Sequence, residues 1–471
     1  MPPWFDEVVF ADMSRSVANA NKFLINVNAL STNNSQIFFF GPVFFYVQAA
    51  IIKMCGLSAF SFRLPVYISG VVASFVFAKT IFFITGSKIY HRAFLALFFT
   101  NFLICGSLSC GRMEMVALLF VAISVYFLLK AYFKKKSPLF FINMIVSAAF
   151  FAVAVLTTPR SAFLYLLCIL PLFEMFLEGI RNRSFITISA VIFHGIVSFA
   201  LPYLIWYKPH LGNVFQIFAY IRPSAETQFS ISNARLDVNS FGWVLIDLFL
   251  LALILVKKVK LPSYVYAWFV ASCIFIKVVI PWSYHHGLIT PFLITIALLS
   301  AFYMRRQASS KLLPVLFTMI FCIQALFIIA KYVIVWTDLP SRNSEALADQ
   351  VRQQIPPGSK VMGNYNYYYA CMKDECEFRS IEDVTDVATG KPITMQKKIA
   401  YLMNDYAGQY IIARDDENFT VQSFLNTGQF KKIGTIRIPA DSKTFWQTCR
   451  QKFGLPNASF YDGFIFMRIR D

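Results

Sequence analysis

From about residue 64 the chain alternates apolar runs close to twenty residues long with short polar links, a spacing that predicts membrane-spanning α-helices. Ten such runs are read: 64–86, 91–108, 112–133, 138–157, 161–178, 185–207, 240–257, 262–281, 286–304 and 311–335. The alternating ten-residue strands of a membrane barrel are not seen. Ahead of the ten, QIFFFGPVFFYVQAAIIKMCG is apolar but holds Gly41-Pro42 and soon meets the next run, so residues 37–54 are expected to lie as a helix in the membrane interface. Residues 1–36 are polar to amphipathic, with no leader peptide and no spanning helix before the acids at Asp6 and Glu7. Beyond residue 336 the pattern changes. A polar helix at SRNSEALADQVRQQI, a turn at PPGSK, helical spacing in TMQKKIAYLMNDY and short strands YIIAR, KKIGTIRI and GFIFMRIR predict a small α/β unit.

Composition agrees with a polytopic membrane protein: 57% of residues are hydrophobic and 14% charged, and mean hydropathy is +0.58. The net charge of +18 would suggest nucleic acid, yet most of it lies in short links between apolar runs, and that reading is discarded. Every second link is basic: Lys88 with Arg92, Lys134-Lys135-Lys136, Arg181 with Arg183, Lys257-Lys258 with Lys260, and Arg305-Arg306 with Lys311. The positive-inside rule makes those links cytoplasmic. By counting, the N-terminal acids, Arg112 with Glu114, Arg160, the 208–239 link, His285-His286 and the tail then share the opposite face. Six cysteines lie in or beside apolar runs, while Cys371, Cys376 and Cys449 fall in the tail, where one disulfide is possible outside the cytoplasm and its pairing stays open. Sequons stand at Asn33, Asn418 and Asn457. No metal-binding pattern is read.

The first 336 residues hold nine Asp or Glu against twenty-six Lys or Arg, and three of the nine, Asp6, Glu7 and Asp12, sit in DEVVFADM. Moving a sugar off a lipid phosphate needs a carboxylate to take the acceptor's proton and positive charge to receive the leaving phosphate. Asp6 or Glu7 is the candidate base; Arg63, Arg112, Arg160, His285 and His286 are candidate phosphate partners. Each has a structural reading beside it. The acids could be a solvated helix start, Arg63 an interfacial anchor, Arg112 with Glu114 an ion pair where a helix begins, and Arg160 part of a helix break after Pro159. The histidines could be interfacial only, and Asp247 and Lys277, inside apolar runs, could pair with each other. The tail is assigned no catalytic role.

DEVVFADMS, then FFFGPVFFYVQAAIIKMCGLSAFSFRLP, then CGRMEMVALLFVAISVYFLL resemble the GT-C integral membrane glycosyltransferases of the protein O-mannosyltransferase-like superfamily, which includes the lipid A aminoarabinose transferases. The resemblance spans roughly residues 4–335. It implies a GT-C membrane domain over 1–336, with 1–62 as an outer loop bearing juxtamembrane helices, and a C-terminal extracytoplasmic α/β domain over 337–471. It further implies inverting transfer from a polyprenyl-phosphate sugar to a glycan, lipid A or protein acceptor, in the inner membrane with the site on the periplasmic side. Carried over by position, Asp6 is the base, Glu7 its neighbour, Arg63 the arginine opening the next span and Glu114 the acid of the later motif. No cofactor is implied beyond the donor lipid, and metal dependence and oligomeric state are left open. Two departures stand out: relatives place a spanning helix before the acidic pair, and many carry a basic residue or His where this chain has Phe40-Gly41-Pro42. A transporter or flippase, or an inactive relative of the fold, is the alternative reading; the clustering of charge at one face argues against transport, which needs polar groups near the midplane.

Overall fold

The computed structural model describes residues 5–27, 38–212, 214, 238–276, 287–308, 312–337, 343–382, 394–414, 419–437 and 461–469, with backbone alone at 5, 6, 238–241, 334, 335, 337 and 419. It begins with α1 (Phe5–Ala20) and α2 (Pro42–Cys55), the helix expected at the interface. The membrane helices follow as α3 (Ala59–Thr85), α4 (Lys88–Thr100), α5 (Phe102–Leu108), α6 (Glu114–Phe133), α7 (Phe140–Val155), α8 (Leu166–Arg181), α9 (Phe185–Pro202), α10 (Val238–Val256), α11 (Ser263–Ile274), α12 (Thr290–Gln307) and α13 (Leu312–Thr337). Each of the ten predicted runs is thus helical over most of its described residues, and the run 91–108 is split in two at Asn101. Five stretches are long and apolar enough to cross a membrane: α3, Pro159–Arg181, Phe185–Tyr207, α6 and Leu312–Val333. The bent pair α4 and α5, at 65°, makes a sixth. The protein is a multi-pass membrane protein.

Local chemistry sets the breaks. Ser58 and Ser61 form a reciprocal capping box at the start of α3, and left-handed Gly86 (φ 66°) ends that helix. Asn101 separates α4 from α5 because its side chain accepts from the backbone N–H groups of Leu103 and Ile104, giving α5 its own N-terminus. Gly41 packs so closely on the end of α7 that a Cβ would lie 1.8 Å from the carbonyl oxygen of Leu156. That same oxygen accepts from Val43 N–H at 3.2 Å. In α12 every residue from Thr290 to Ala301 is buried, so this helix forms the inner post of the bundle. Along α13 large apolar side chains stay on the surface, among them Leu326 and Phe327, as lipid contact requires.

The basic links meet at one end of the bundle: Lys135 pairs with Glu178, Glu174 accepts from Tyr132 and Ser263, and the side chain of Gln307 bridges the backbone of Lys260. The starts of α3 and α6 and the end of α7 lie at the other end.

Beyond the bundle come α14 (Ser344–Gln354), β1 (Lys360–Gly363), α15 (Tyr368–Lys373), β2 (Glu377–Ser380), α16 (Met395–Ala400), β3 (Tyr410–Ala413), α17 (Phe419–Leu425), β4 (Phe430–Ile436) and β5 (Gly463–Arg468). The strands form one sheet in the order β2-β1-β3-β5-β4. Strands β2, β1 and β3 are parallel, and β5 runs antiparallel between β3 and β4. The three predicted strands and both predicted helices are present, and β1, α15, β2 and α17 are additional.

Candidate functional site

Helix α1 is buried along most of its described length, and Glu7 and Asp12 point into protein rather than solvent. Glu7 is fully buried, and Arg63 of α3 meets it as a fork: Nε and Nη2 each donate to one carboxylate oxygen at 2.9 Å. Two charges are removed from water here, which is tolerable because the bidentate geometry satisfies both oxygens. The hydroxyl of Tyr369, from α15, donates to Oε1 of Glu7 at 3.3 Å.

A second cluster adjoins the first. Glu114 opens α6, where the helix dipole favours a carboxylate. It accepts from Arg112 Nε and Nη2 at 3.2 and 3.1 Å and from Arg160 Nη1 at 3.3 Å. Arg112 also lies 5.8 Å above the ring of Phe10 on α1. The clusters touch through Gly111, whose added Cβ would sit 2.4 Å from the ring of Phe62 and 3.2 Å from Cγ of Glu7. Only glycine lets the backbone come that near. Beside Arg160, the buried hydroxyls of Thr158 and Ser161 have no hydrogen-bond partner among the described residues. Among the described residues the guanidinium groups of Arg63, Arg112 and Arg160 thus meet the carboxylates of Glu7 and Glu114 in one largely buried region, and the hydroxyls of Thr158 and Ser161 lie beside them.

Asp12 does something else. Its Oδ2 accepts from the backbone N–H of Asn26, and of Val27 at 2.9 Å, folding the chain after α1 back onto the helix, while Tyr368 donates to Oδ1 at 3.3 Å. Burial raises its pKa above the ordinary carboxylate value, against the pull of those backbone donors and of Arg379 and Arg15. The carbonyl of Val27 accepts from Ser380 N–H at 2.8 Å, at the end of β2. Asp12 thus ties α1 to the sheet.

No family model and no curated protein matches the sequence. Among solved structures, an oligosaccharyltransferase from Archaeoglobus fulgidus, tethered to an acceptor peptide, is similar over 99% of this chain and 72% of its own, with 9% identity and a TM-score of 0.50. The chain has the GT-C fold. Weaker likenesses are to ArnT from Cupriavidus metallidurans in the apo state (14% identity, 99% of this chain, 93% of that one, TM-score 0.44) and to the arabinosyltransferase EmbB from Mycobacterium smegmatis (14%, 64%, 28%, 0.47).

Within this GT-C fold, Glu7, Arg63, Arg112, Glu114 and Arg160 converge as the sequence predicts. Asp6 lies in the first turn of α1, but its side chain falls outside the described residues, as do His285, His286, Lys277, Cys449 and the sequons at Asn33, Asn418 and Asn457. Asp247 is buried in the bundle with neither oxygen partnered among the described residues. No three His, Cys, Asp or Glu side chains converge as a metal site among the described residues. Tyr368 and Tyr369 were not expected. Their signal was the tyrosine-rich run YNYYY at 365–369, read as an ordinary part of a soluble domain; the structure brings two of its hydroxyls onto the acidic helix.

Proposed function

We propose that the chain transfers a sugar from a polyprenyl-phosphate carrier to an acceptor outside the cytoplasm, with inversion at the sugar carbon. In this reading residues 1–336 are the transferase and 337–471 an extracytoplasmic domain, in the inner membrane, with the basic end of the bundle in the cytoplasm. The observation that carries it is the convergence of Arg63, Arg112 and Arg160 with Glu7 and Glu114 where α1, α3, α6 and the turn after α7 meet. A shared fold is support of a weaker kind, since one fold hosts many chemistries.

The acceptor hydroxyl attacks the anomeric carbon as the bond to the carrier phosphate breaks, and Asp6 takes the hydroxyl proton. The phosphate passes from a diester with one negative charge to a monoester approaching two. Arg112 and Arg160 receive that added charge, so their stabilisation grows toward the transition state. Arg63 and Glu7, each occupied by the other, hold the start of α1 and hence the backbone of Asp6. His285 and His286 are assigned as further hydrogen-bond donors to the phosphate. The acceptor is a glycan, lipid A or a protein.

The test uses membranes carrying the full chain and a labelled polyprenyl-phosphate sugar. Asp6→Asn should lower transfer by about 10²–10⁴-fold, while Glu345→Gln, on an exposed turn of α14, should leave it unchanged. Equal rates in the two variants would remove Asp6 from the mechanism.

A further inference from the structure

The tail holds two free, buried cysteines, Cys371 and Cys376, within CMKDEC. Helix α15 ends in a Schellman motif: Cys376 N–H reaches the carbonyl of Cys371 at 3.1 Å, Glu375 N–H reaches that of Met372 at 3.2 Å, and Glu375 takes the left-handed conformation with φ 57°. In such a motif the first and last of these six positions turn their side chains toward each other, normally as an apolar contact. Here both positions are cysteine. Both side chains are buried, at 0% and 1% exposure. Three and two residues before Cys371 on the same short helix stand Tyr368 and Tyr369, the pair that contacts Asp12 and Glu7.

We propose that Cys371 and Cys376 form a disulfide that fixes α15, and with it the two tyrosines, against the acidic helix. This rests on the tail lying outside the cytoplasm, where thiols are oxidised. The thiolate of one cysteine attacks a disulfide-bearing oxidoreductase of that compartment, and the second thiolate then displaces the mixed disulfide. Two protons and two electrons leave the chain, and the oxidant departs as its dithiol. The exchange takes place during folding, before the sulfurs are covered. A pair left reduced is inert afterwards, because burial raises both thiol pKa values.

Free thiols are trapped by alkylation as the cells are lysed, and the full chain is purified and digested with trypsin. Cleavage after Lys373 separates the two cysteines, so a disulfide shows as two peptides joined until reduction. The joined pair is the expected result. Alkylation of both residues without prior reduction, or a link from either to Cys449, overturns the proposal. Amide exchange across 368–373 should rise several-fold on reduction; no change would overturn the anchoring role. Sidedness is read separately by labelling Gln353→Cys, at an exposed position on α14, with an impermeant maleimide on intact cells. Labelling with free Cys371 and Cys376 sinks the disulfide alone, whereas no labelling sinks the topology and the disulfide with it.

Discussion

Tyr369 donates its hydroxyl to Glu7 across 362 positions of sequence, at 3.3 Å and with both groups buried. The bond joins a helix of the C-terminal unit to the helix that opens the chain, on a carboxylate already forked to Arg63. The C-terminal unit therefore helps build the site. Tyr369→Phe keeps the ring and removes one neutral donor to a charged acceptor, a loss of about 1.5–3 kcal/mol if uncompensated. If the tyrosine positions Glu7 and Asp6, the loss appears in kcat with KM for the lipid donor little changed. A change in thermal stability alone, with kcat intact, would make the contact purely structural.

The Glu7 and Arg63 pair should behave as a unit. Removing one partner strands a buried charge, and Glu7→Gln or Arg63→Met alone should each destabilise the protein by about 3–5 kcal/mol. The double variant should lose less than the sum, because no uncompensated charge remains. Arg63→Lys should not rescue, since an ammonium cannot reproduce the two parallel bonds. Thermal unfolding in detergent measures all four, and simple additivity would show that the pair is not coupled.

The helical runs were legible because lipid leaves the backbone no choice: about twenty apolar residues must close their hydrogen bonds within the segment, and among the described residues five helices and one bent pair are long and apolar enough to do so. The meeting of Glu7, Arg63, Arg112, Glu114 and Arg160 was legible for a related reason, since buried charges seek partners and the alternating basic links place all five at one end. The sequence was silent where contact depends on tertiary approach. Nothing in DEVVFADM distinguishes Asp12, which ties down its own following segment, from an acid available for chemistry. Tyr368 and Tyr369 were passed over because strands β1 and β2, four residues each, are too short to show a period, and the helix between them is a turn and a half.

Gly111 tests how closely the two charge clusters must approach. A methyl group there would overlap the fully buried ring of Phe62 and press on Glu7, so Gly111→Ala should cost about 1–3 kcal/mol of stability and lower transfer as well. Gly106 lies nearby in α5 with open space around its would-be Cβ. Gly106→Ala is the matched control and should be neutral or slightly stabilising, as a helix interior prefers alanine. Similar losses in both variants would point to general disruption of this region instead of the contact at Gly111.

Asp12 makes stability depend on pH in a defined direction. Its folded pKa stands above the unfolded value of about 3.9, so the folded state holds the proton more tightly. That contribution is fully present below the unfolded pKa and is lost as pH rises through the folded one. Asp12→Asn keeps an oxygen for the N–H groups of Asn26 and Val27 but carries no charge to desolvate. Its stability relative to the parent should therefore increase as pH rises above the ordinary carboxylate range, in melting temperatures taken between about pH 4 and 8. A difference that is flat across this range would mean that the two backbone donors and the arginines outweigh burial, leaving Asp12 an ordinary ionised carboxylate.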